Sequence, residues 1–541
     1  MMRLHKRLAP ALLLLSFPAV SARAQESNDD PPLPPPPVEW KVLKLTFDGY
    51  LRVRGDVWND LDLSRGPTPT TGQPIFPTPA GGGDGHTLTG LDMRFRLEPT
   101  LSIGQAVKVH VRADVLDNVG FGSTPDVLPS YTGAAYATGP AQSPESGENA
   151  LKDAIRIKQA YGEVVLPFGV LQAGRMGAPF NWGTGFFVNN GSCISCDAGD
   201  TGDRIALTVP LFGHYVSALY ELSASGPYAV PFAQNIDLDA RAHVDTFALA
   251  FARFDSPEAQ RRRVRSGRTL VQYGLFASYR GQELDAPAWT QPNGLLRTYG
   301  PNDFVKRDVK SLAADLWVLV QHKGLRAELE AAGSWGRIGD ATNQAGVSFT
   351  DPVTTAQYGA VASVAYQFGF PLRLRLEGGF ASGDDAPGFG VRIVPGQYTS
   401  QKGDLDGPQL RPPADRTVNN FRFHPDYHVD LILFRRIIGT VSDAMYMRPS
   451  IAVGPFGGRM SGFSAEAVLI ASRAIYATTP PGQDASLGVE LDVRARWRIE
   501  PGFEINAAWG LLLPGPGFKN LALAIDPKPA QALEVILAYR L

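Results

Sequence analysis

Beyond its N-terminal leader the chain lacks any uninterrupted apolar stretch of the roughly 18 residues that a spanning helix requires. That excludes a helical membrane protein and leaves a soluble secreted protein or one that crosses a bilayer by strands. Cysteine is nearly missing: Cys193 and Cys196 are the whole complement, too few for a disulfide scaffold. Charge of either sign is close to balanced, at −2 overall and about −6 once Arg3, Lys6, Arg7 and Arg23 leave with the leader. No nucleic-acid partner is expected for such a chain. Internal linkers are missing too, so nothing divides the sequence into blocks of different composition.

What is present begins with a leader. Arg3, His5, Lys6 and Arg7 precede an apolar run from Leu8 to Val20, followed by Ser21-Ala22-Arg23-Ala24. This pattern predicts a signal peptide over residues 1–24, cleaved after Ala24. Pro10 and Pro18 interrupt the run, which argues against a membrane anchor, and Gln25 in place of a cysteine gives no sign of lipid attachment. Residues 25–43 read as a Pro-rich periplasmic segment, with Pro31 to Pro37 an extended polyproline spacer.

From there a period of two dominates. Leu45, Phe47, Leu51, Val53 and Val57 alternate with Thr46, Asp48, Arg52, Arg54 and Asp56. Leu91, Met93, Phe95 and Leu97 then oppose Asp92, Arg94, Arg96 and Glu98, and Val107 to Val115 oppose Lys108, His110, Arg112 and Asp114. Near the end, Val489, Leu491, Val493 and Trp497 oppose Glu490, Asp492, Arg494, Arg496 and Arg498. Alternation suits a soluble sandwich as well. Run length favours a barrel, since many runs exceed the five or six residues typical of soluble strands and approach the length of a tilted spanning strand. Connections alternate between short ones, such as Gly104, Pro167-Phe168, Phe212-Gly213 and Lys323-Gly324, and long polar ones over 59–86, 118–152, 177–201, 224–240, 281–307, 336–356, 382–442, 476–485 and 513–529. Outer-membrane barrels have this asymmetry. The expected fold is therefore all-β, a transmembrane antiparallel β-barrel over 44–541 with about 18 strands (range 16–20) and both termini on the periplasmic side. Trp58, Trp317, Trp335, Trp497, Trp509 and Tyr539 are expected at the interfacial girdles. The basic connection with Arg261, Arg262, Arg263 and Arg265 reads as a solvated turn.

Several motifs carry a resemblance. Gln159-Ala160-Tyr161-Gly162-Glu163, the run Pro167 to Met176 and Asn181-Trp182-Gly183-Thr184-Gly185, with Phe380 to Asp385, resemble segments of alginate-export type outer-membrane channels. Trp182 to Gly185, Asn189-Asn190-Gly191, Asp197 to Arg204 and Phe423 to Asp430 are similar to an uncharacterised family of myxobacterial outer-membrane barrels. The resemblance implies a barrel and leaves the substrate open.

If the apolar face meets lipid, Arg52, Arg54, Asp56, Asp92, Arg94, Arg96, Glu98, Lys108, Arg112, Asp114, Glu490, Asp492, Arg494, Arg496 and Arg498 are the candidate pore-lining residues. Charge on the lipid face costs about 2–4 kcal/mol per Arg or Lys at mid-depth. A narrow barrel filled by paired charges is the competing reading, but about 18 strands make a lumen too wide for that. Cys193 and Cys196 are expected to form a local disulfide, with zinc or thioredoxin-like chemistry as the alternatives. Asp197, Asp200 and Asp203 offer oxygens to Ca²⁺ without EF-hand spacing, so a solvated acidic loop is favoured and no cofactor is otherwise expected. His424 and His428 form a possible metal pair or, as favoured, a hydrogen-bonded loop cluster. The apolar run Leu431 to Ile438 reads as an inward constriction or plug, or as an extra strand pair.

The expected function is passive passage of a small hydrophilic solute, with anions among the options. A lipase- or protease-type barrel enzyme and an adhesive or architectural barrel are the alternatives. No G-x-S-x-G motif is present, so no enzyme is expected. Expected partners are outer-membrane lipid and lipopolysaccharide, the outer-membrane assembly machinery and the solute. The C-terminal strand resembles the signal this machinery reads, although it ends in Leu541 in place of an aromatic residue.

Overall fold

The computed structural model describes residues 43–541, apart from 82–84, 122–123, 126–140, 143–154, 230–233, 288–298, 343–350, 370, 393–399, 408, 410–414, 458–460 and 500–501. The expected leader, and the Pro-rich segment up to residue 42, lie outside the described residues. Eighteen long strands follow in order: β1 (Leu43–Asn59), β2 (Thr87–Ile103), β3 (Val107–Gly120), β4 (Ile155–Leu166), β5 (Gly169–Gly177), β6 (Thr201–Leu211), β7 (His214–Ala224), β8 (Val244–Arg253) and β9 (Leu270–Gln282). The second half comprises β10 (Val309–His322), β11 (Leu325–Ile338), β12 (Val353–Gln367), β13 (Leu372–Ala381), β14 (Ala444–Val453), β15 (Phe463–Ala474), β16 (Ser486–Ile499), β17 (Phe503–Pro514) and β18 (Ala530–Arg540).

Each strand pairs antiparallel with its sequence neighbours, and β18 returns to β1, from Tyr50 opposite Arg540 to Asn59 opposite Gln531. The sheet is therefore a closed 18-stranded meander with no free edge. At one end the turns are tight, as at Phe212-Gly213 and Lys323-Gly324; at the other lie all the long connections. The exception among the turns is the basic connection between β8 and β9. It folds as a helix, α1 (Pro257–Arg265), with the Ser256 hydroxyl capping the Ala259 amide, Pro257 in the first turn and Arg262, Arg263 and Arg265 at the C-terminal end.

Strand alternation assigns the two faces. Phe247 and Leu249 on β8, Leu275 on β9, Leu316 on β10, Leu329 on β11, Val364 on β12 and Leu376 on β13 are all exposed on the outer wall, Leu249 at 66 %. An apolar belt of this extent has bilayer hydrocarbon as its natural solvent. Inside, Arg52, Arg54, Asp56, Arg94, Arg96 and Asp114 are buried. The hydrophobic core thus lies in the lumen, where Leu431, Ile432, Leu433, Phe434, Ile437 and Ile438 of the long β13–β14 connection pack with inward Tyr446, Val468, Ile470 and Leu512.

Two girdle expectations fail. Trp335, Trp497 and Tyr539 are exposed on the outer wall, but Trp58 and Trp317 share the parity of buried Asp56 and Asp315 and so point inward. Trp58 receives the Arg436 guanidinium 5.2 Å from its ring centroid, and Trp317 packs against Phe254.

Leu249→Arg, at the middle of β8, should lower the free energy of folding into phospholipid vesicles by about 2–4 kcal/mol, as read from denaturant titration. An unchanged midpoint would place this face away from lipid.

Candidate functional site

The lumen is organised by a conflict written into the register of β1 and β2. Arg52 stands directly opposite Arg94, and like charges across a ladder repel. Both side chains are buried. The β5–β6 connection resolves the conflict by folding inward. Asp197 Oδ1 accepts a hydrogen bond from Arg52 Nη1 at 3.0 Å and from Arg94 Nη2 at 2.9 Å, and its Oδ2 accepts one from Arg54 Nη1 at 2.6 Å. The backbone of the same connection supplies further acceptors. The Ile194 carbonyl takes Arg52, the Cys196 carbonyl takes Arg94, the Gly191 carbonyl takes Arg96 and the Asn190 carbonyl takes Arg112, at 2.6–3.0 Å. Burial pushes the Asp197 carboxyl up, but Arg54, Arg52 and Arg94 outweigh it and hold the group well below the usual carboxylate range. A depressed carboxyl contributes its stability above the ordinary aspartate value and loses it as pH falls through the lowered one. The seat is thus fully charged at neutral pH.

Wall carboxylates take further donors of these arginines. Asp92 takes Arg52 and Arg54, Asp114 takes Arg96 Nε and Nη2, Asp117 takes Arg94 and Glu98 takes Arg112.

Described residues of a second connection, 382–443, fill the β13–β18 side. Its Leu433–Ile438 turn is π-helical, and its orphan amides are met by two carboxylates. Glu490 of β16 accepts from the Leu431, Ile432 and Leu433 amides at 2.8–3.0 Å, and Asp430 accepts from Phe434 and Arg435. Arg435 forms a two-bond pair with Glu534 of β18, and Arg436 reaches Asp56 of β1. The run read from sequence as a plug or extra strand pair is a plug. The two loops meet where Asp426 accepts the Asp197 and Ala198 amides.

Free space lies beside β1 to β12. A cavity of 1060 Å³ faces the short-turn end and is lined by Lys44, Lys108, His110, Arg112, Tyr161, Glu163, Trp182 and Trp317 among others. A cavity of 530 Å³ faces the long loops and is lined by Phe180, Phe187, Phe276, Phe421, Arg204, Glu221, Arg280 and Arg422 among others. Residues of the Ala178–Gly183 segment line both, so this segment is the partition. It is held by rings and by two close approaches. Trp182 contacts Phe180, Phe254 and Phe276, and its indole occupies the place where a Cβ on Gly274 would stand, 2.5 Å away. Gly183, at φ +85°, lies against the Glu330 carboxylate that accepts the Thr184 amide and hydroxyl.

The sequence-derived candidates divide by role. All fifteen charged positions lie on the lumen face, but Arg52, Arg54, Arg94, Arg96, Asp56 and Glu490 bind folded-in loops, Lys108 borders the larger cavity, and Arg112 does both. Arg494 pairs with Asp492, while Arg496 and Arg498, both half-exposed, converge with Arg540 on Glu504. Cys193 and Cys196 are disulfide-bonded. Asp197, Asp200 and Asp203 do not converge: Asp197 holds the arginines, Asp200 accepts the Asn189 amide, and Asp203 pairs with Arg175. His424 accepts the Asp426 amide, and burial together with Arg435 lowers the His428 pKa to about 2. These separate contacts fit the loop-cluster reading. Sequence reading missed Arg204, Glu221, Arg280 and Arg422. The first three sit on strands whose alternation was the available signal, while Arg422 lies in the long loop and had none.

No protein-family model matches this chain, and no curated protein does. Among solved structures, OccK11 (OpdR) of Pseudomonas aeruginosa superposes with a TM-score of 0.44 at 11 % identity, covering 92 % of this chain and 96 % of that one. A BenF-like porin from Pseudomonas fluorescens Pf-5 gives 0.44 at 9 % identity, covering 92 % and 98 %. OmpT, an outer membrane protein of Vibrio cholerae, gives 0.35 at 9 %, covering 92 % and 98 %. The likeness concerns the course of the strands and carries no further argument.

Asp197→Asn should weaken the loop seat by about 1.5 kcal/mol, the low end for a charged hydrogen bond because the carboxylate keeps 37 % of its surface open. The rate at which a water-soluble phosphine reduces the Cys193–Cys196 disulfide should then rise about tenfold. An unchanged rate would show that the carboxylate does not hold the loop.

Proposed function

We propose that the protein is an outer-membrane channel for passive passage of small hydrophilic solutes, with anions favoured. The observation that carries this reading is the pair of lumen cavities, one toward each mouth, parted by a loop segment and not by the barrel wall. Around the larger cavity stand Lys44, Lys108 and Arg112, with Glu163 paired to Lys108 and Glu98 paired to Arg112. Around the smaller, Arg204, Arg280 and Arg422 stand against Glu221 and Asp200; Arg204 and Arg280 share Glu221, and Arg422 makes no ion pair among the described residues. Such an excess of fixed cations lowers the barrier for anions and raises it for cations. The remaining charged positions act as the supports of that path.

In this reading outer-membrane lipid and lipopolysaccharide surround the apolar belt, and the assembly machinery engages β18. Kinship with the myxobacterial barrel family rests on Trp182 to Gly185 and Phe423 to Asp430.

Planar-bilayer recording of the folded protein should show conductance, with a reversal potential on the anion-selective side in a KCl gradient. Arg422→Glu should move that potential toward cation selectivity, and Trp182→Ala should raise the conductance. No conductance, in either the natural protein or Trp182→Ala, would count against a channel.

A further inference from the structure

We propose that Asp60, Asp62 and His86 form a binding site for a divalent transition-metal ion of the zinc class at the long-loop mouth. Asp60 and Asp62 directly follow β1, and His86 directly precedes β2. The backbone already joins the two ends, because the Asp60 amide donates to the His86 carbonyl at 3.0 Å. One Asp or His ligand atom from each residue lies within 4.8 Å of the others.

Two features point to an ion at the centre. His86 Nδ1 is buried and has no hydrogen-bond partner, although it faces two carboxylates. Asp62 is 7 % exposed, and the His86 imidazole is the only basic side chain within ion-pair distance of its carboxylate among the described residues. The separations are 3.7 Å from Nδ1 to Asp60 Oδ1 and 3.5 Å to Asp62 Oδ1. Hydrogen bonds between such groups close to about 2.7–3.2 Å. A tetrahedral ion with bonds of about 2.0–2.2 Å instead sets its donor atoms roughly 3.3–3.6 Å apart. The 3.5 Å separation lies within that range and the 3.7 Å separation just above it, and both are longer than a hydrogen bond.

The donor set decides the class of ion. One imidazole nitrogen with two carboxylate oxygens suits zinc and its neighbours, whereas calcium and magnesium favour oxygen alone. Both Asp60 and His86 are partly open to solvent, which leaves room for water at a fourth position. Ser64 Oγ donates to Asp60 Oδ1 at 2.9 Å and so orients that ligand from outside. Leu61, Leu63 and Ile75 of the same connection belong to the buried lumen cluster. A bound ion would therefore clip the base of a loop that rests on the plug, and would stabilise the closed arrangement of this mouth.

The test uses the full-length protein, folded in detergent and stripped with chelator. Titration with Co²⁺ should produce the visible absorption of a four-coordinate site at one ion per chain, with a Kd below about 10 µM, and Zn²⁺ should displace it. His86→Ala and Asp62→Asn should each weaken binding roughly a hundredfold, and Ser64→Ala by about tenfold. Zinc-edge X-ray absorption on the unaltered protein should find one imidazole among oxygen donors, which keeps the question answerable if a variant misfolds. Failure to bind either ion below 1 mM would mean a bare Asp–His ion pair and overturn the proposal. So would binding that survives His86→Ala, or a zinc spectrum without imidazole.

Discussion

The facing guanidinium groups of Arg52 and Arg94 are the constraint from which the lumen follows. Two buried cations on adjacent strands must find anions, and the wall supplies only part of what they need. Asp92 and Asp117 satisfy one side of each group. The third carboxylate, Asp197, arrives from a connection that has to fold into the barrel to deliver it. Once there, its backbone carbonyls use the outward-directed donors of Arg52, Arg94, Arg96 and Arg112, so the loop is fixed at five points and not at one. Densely bonded networks of this kind rigidify, whereas removing one member leaves a desolvated charge.

The second inward loop obeys the complementary rule. Here the wall offers carboxylates, and the loop brings donors. Glu490 meets three successive amides and Glu534 meets Arg435, so the Leu433–Ile438 turn is held at its N-terminal side by negative charge. Its apolar side chains then form a core where a water-filled barrel would have none. The opposite side of the lumen keeps its free volume, interrupted by the ring-packed segment that carries Trp182. Filling is therefore one-sided, and the free volume is lined by strands β1 to β12 and by the two loops.

The barrel was legible in sequence because each signal used to read it is a consequence of closure in lipid. Alternation at Leu51, Val53 and Val57 against Arg52, Arg54 and Asp56 placed the charges inside, and the long and short connections placed the two ends. The role of those charges was not legible in the same way. Whether Arg94 borders water or binds the Cys196 carbonyl depends on a contact 102 residues away. Periodicity is local and carries no information about such pairs. The inward Trp58 and Trp317 show the same limit: composition draws tryptophan to the interface, but strand parity decides which face it takes. For the cavity residues Arg204, Glu221 and Arg280, alternation was present in β6, β7 and β9, yet only the fold brings them together. The plug could be foreseen as a possibility from the apolar run after Asp430, and its seat on Glu490 and Glu534 needed the closed sheet.

The account stands on the claim that charged groups of the wall hold two external connections inside the barrel. Amide hydrogen exchange on the folded protein in lipid nanodiscs tests it most directly. The amides of Asp197, Ala198 and Leu431 to Arg435, which donate to Asp426, Glu490 and Asp430, should be protected to the degree of the barrel strands. Exchange of these amides as fast as that of solvent-exposed chain would contradict the account.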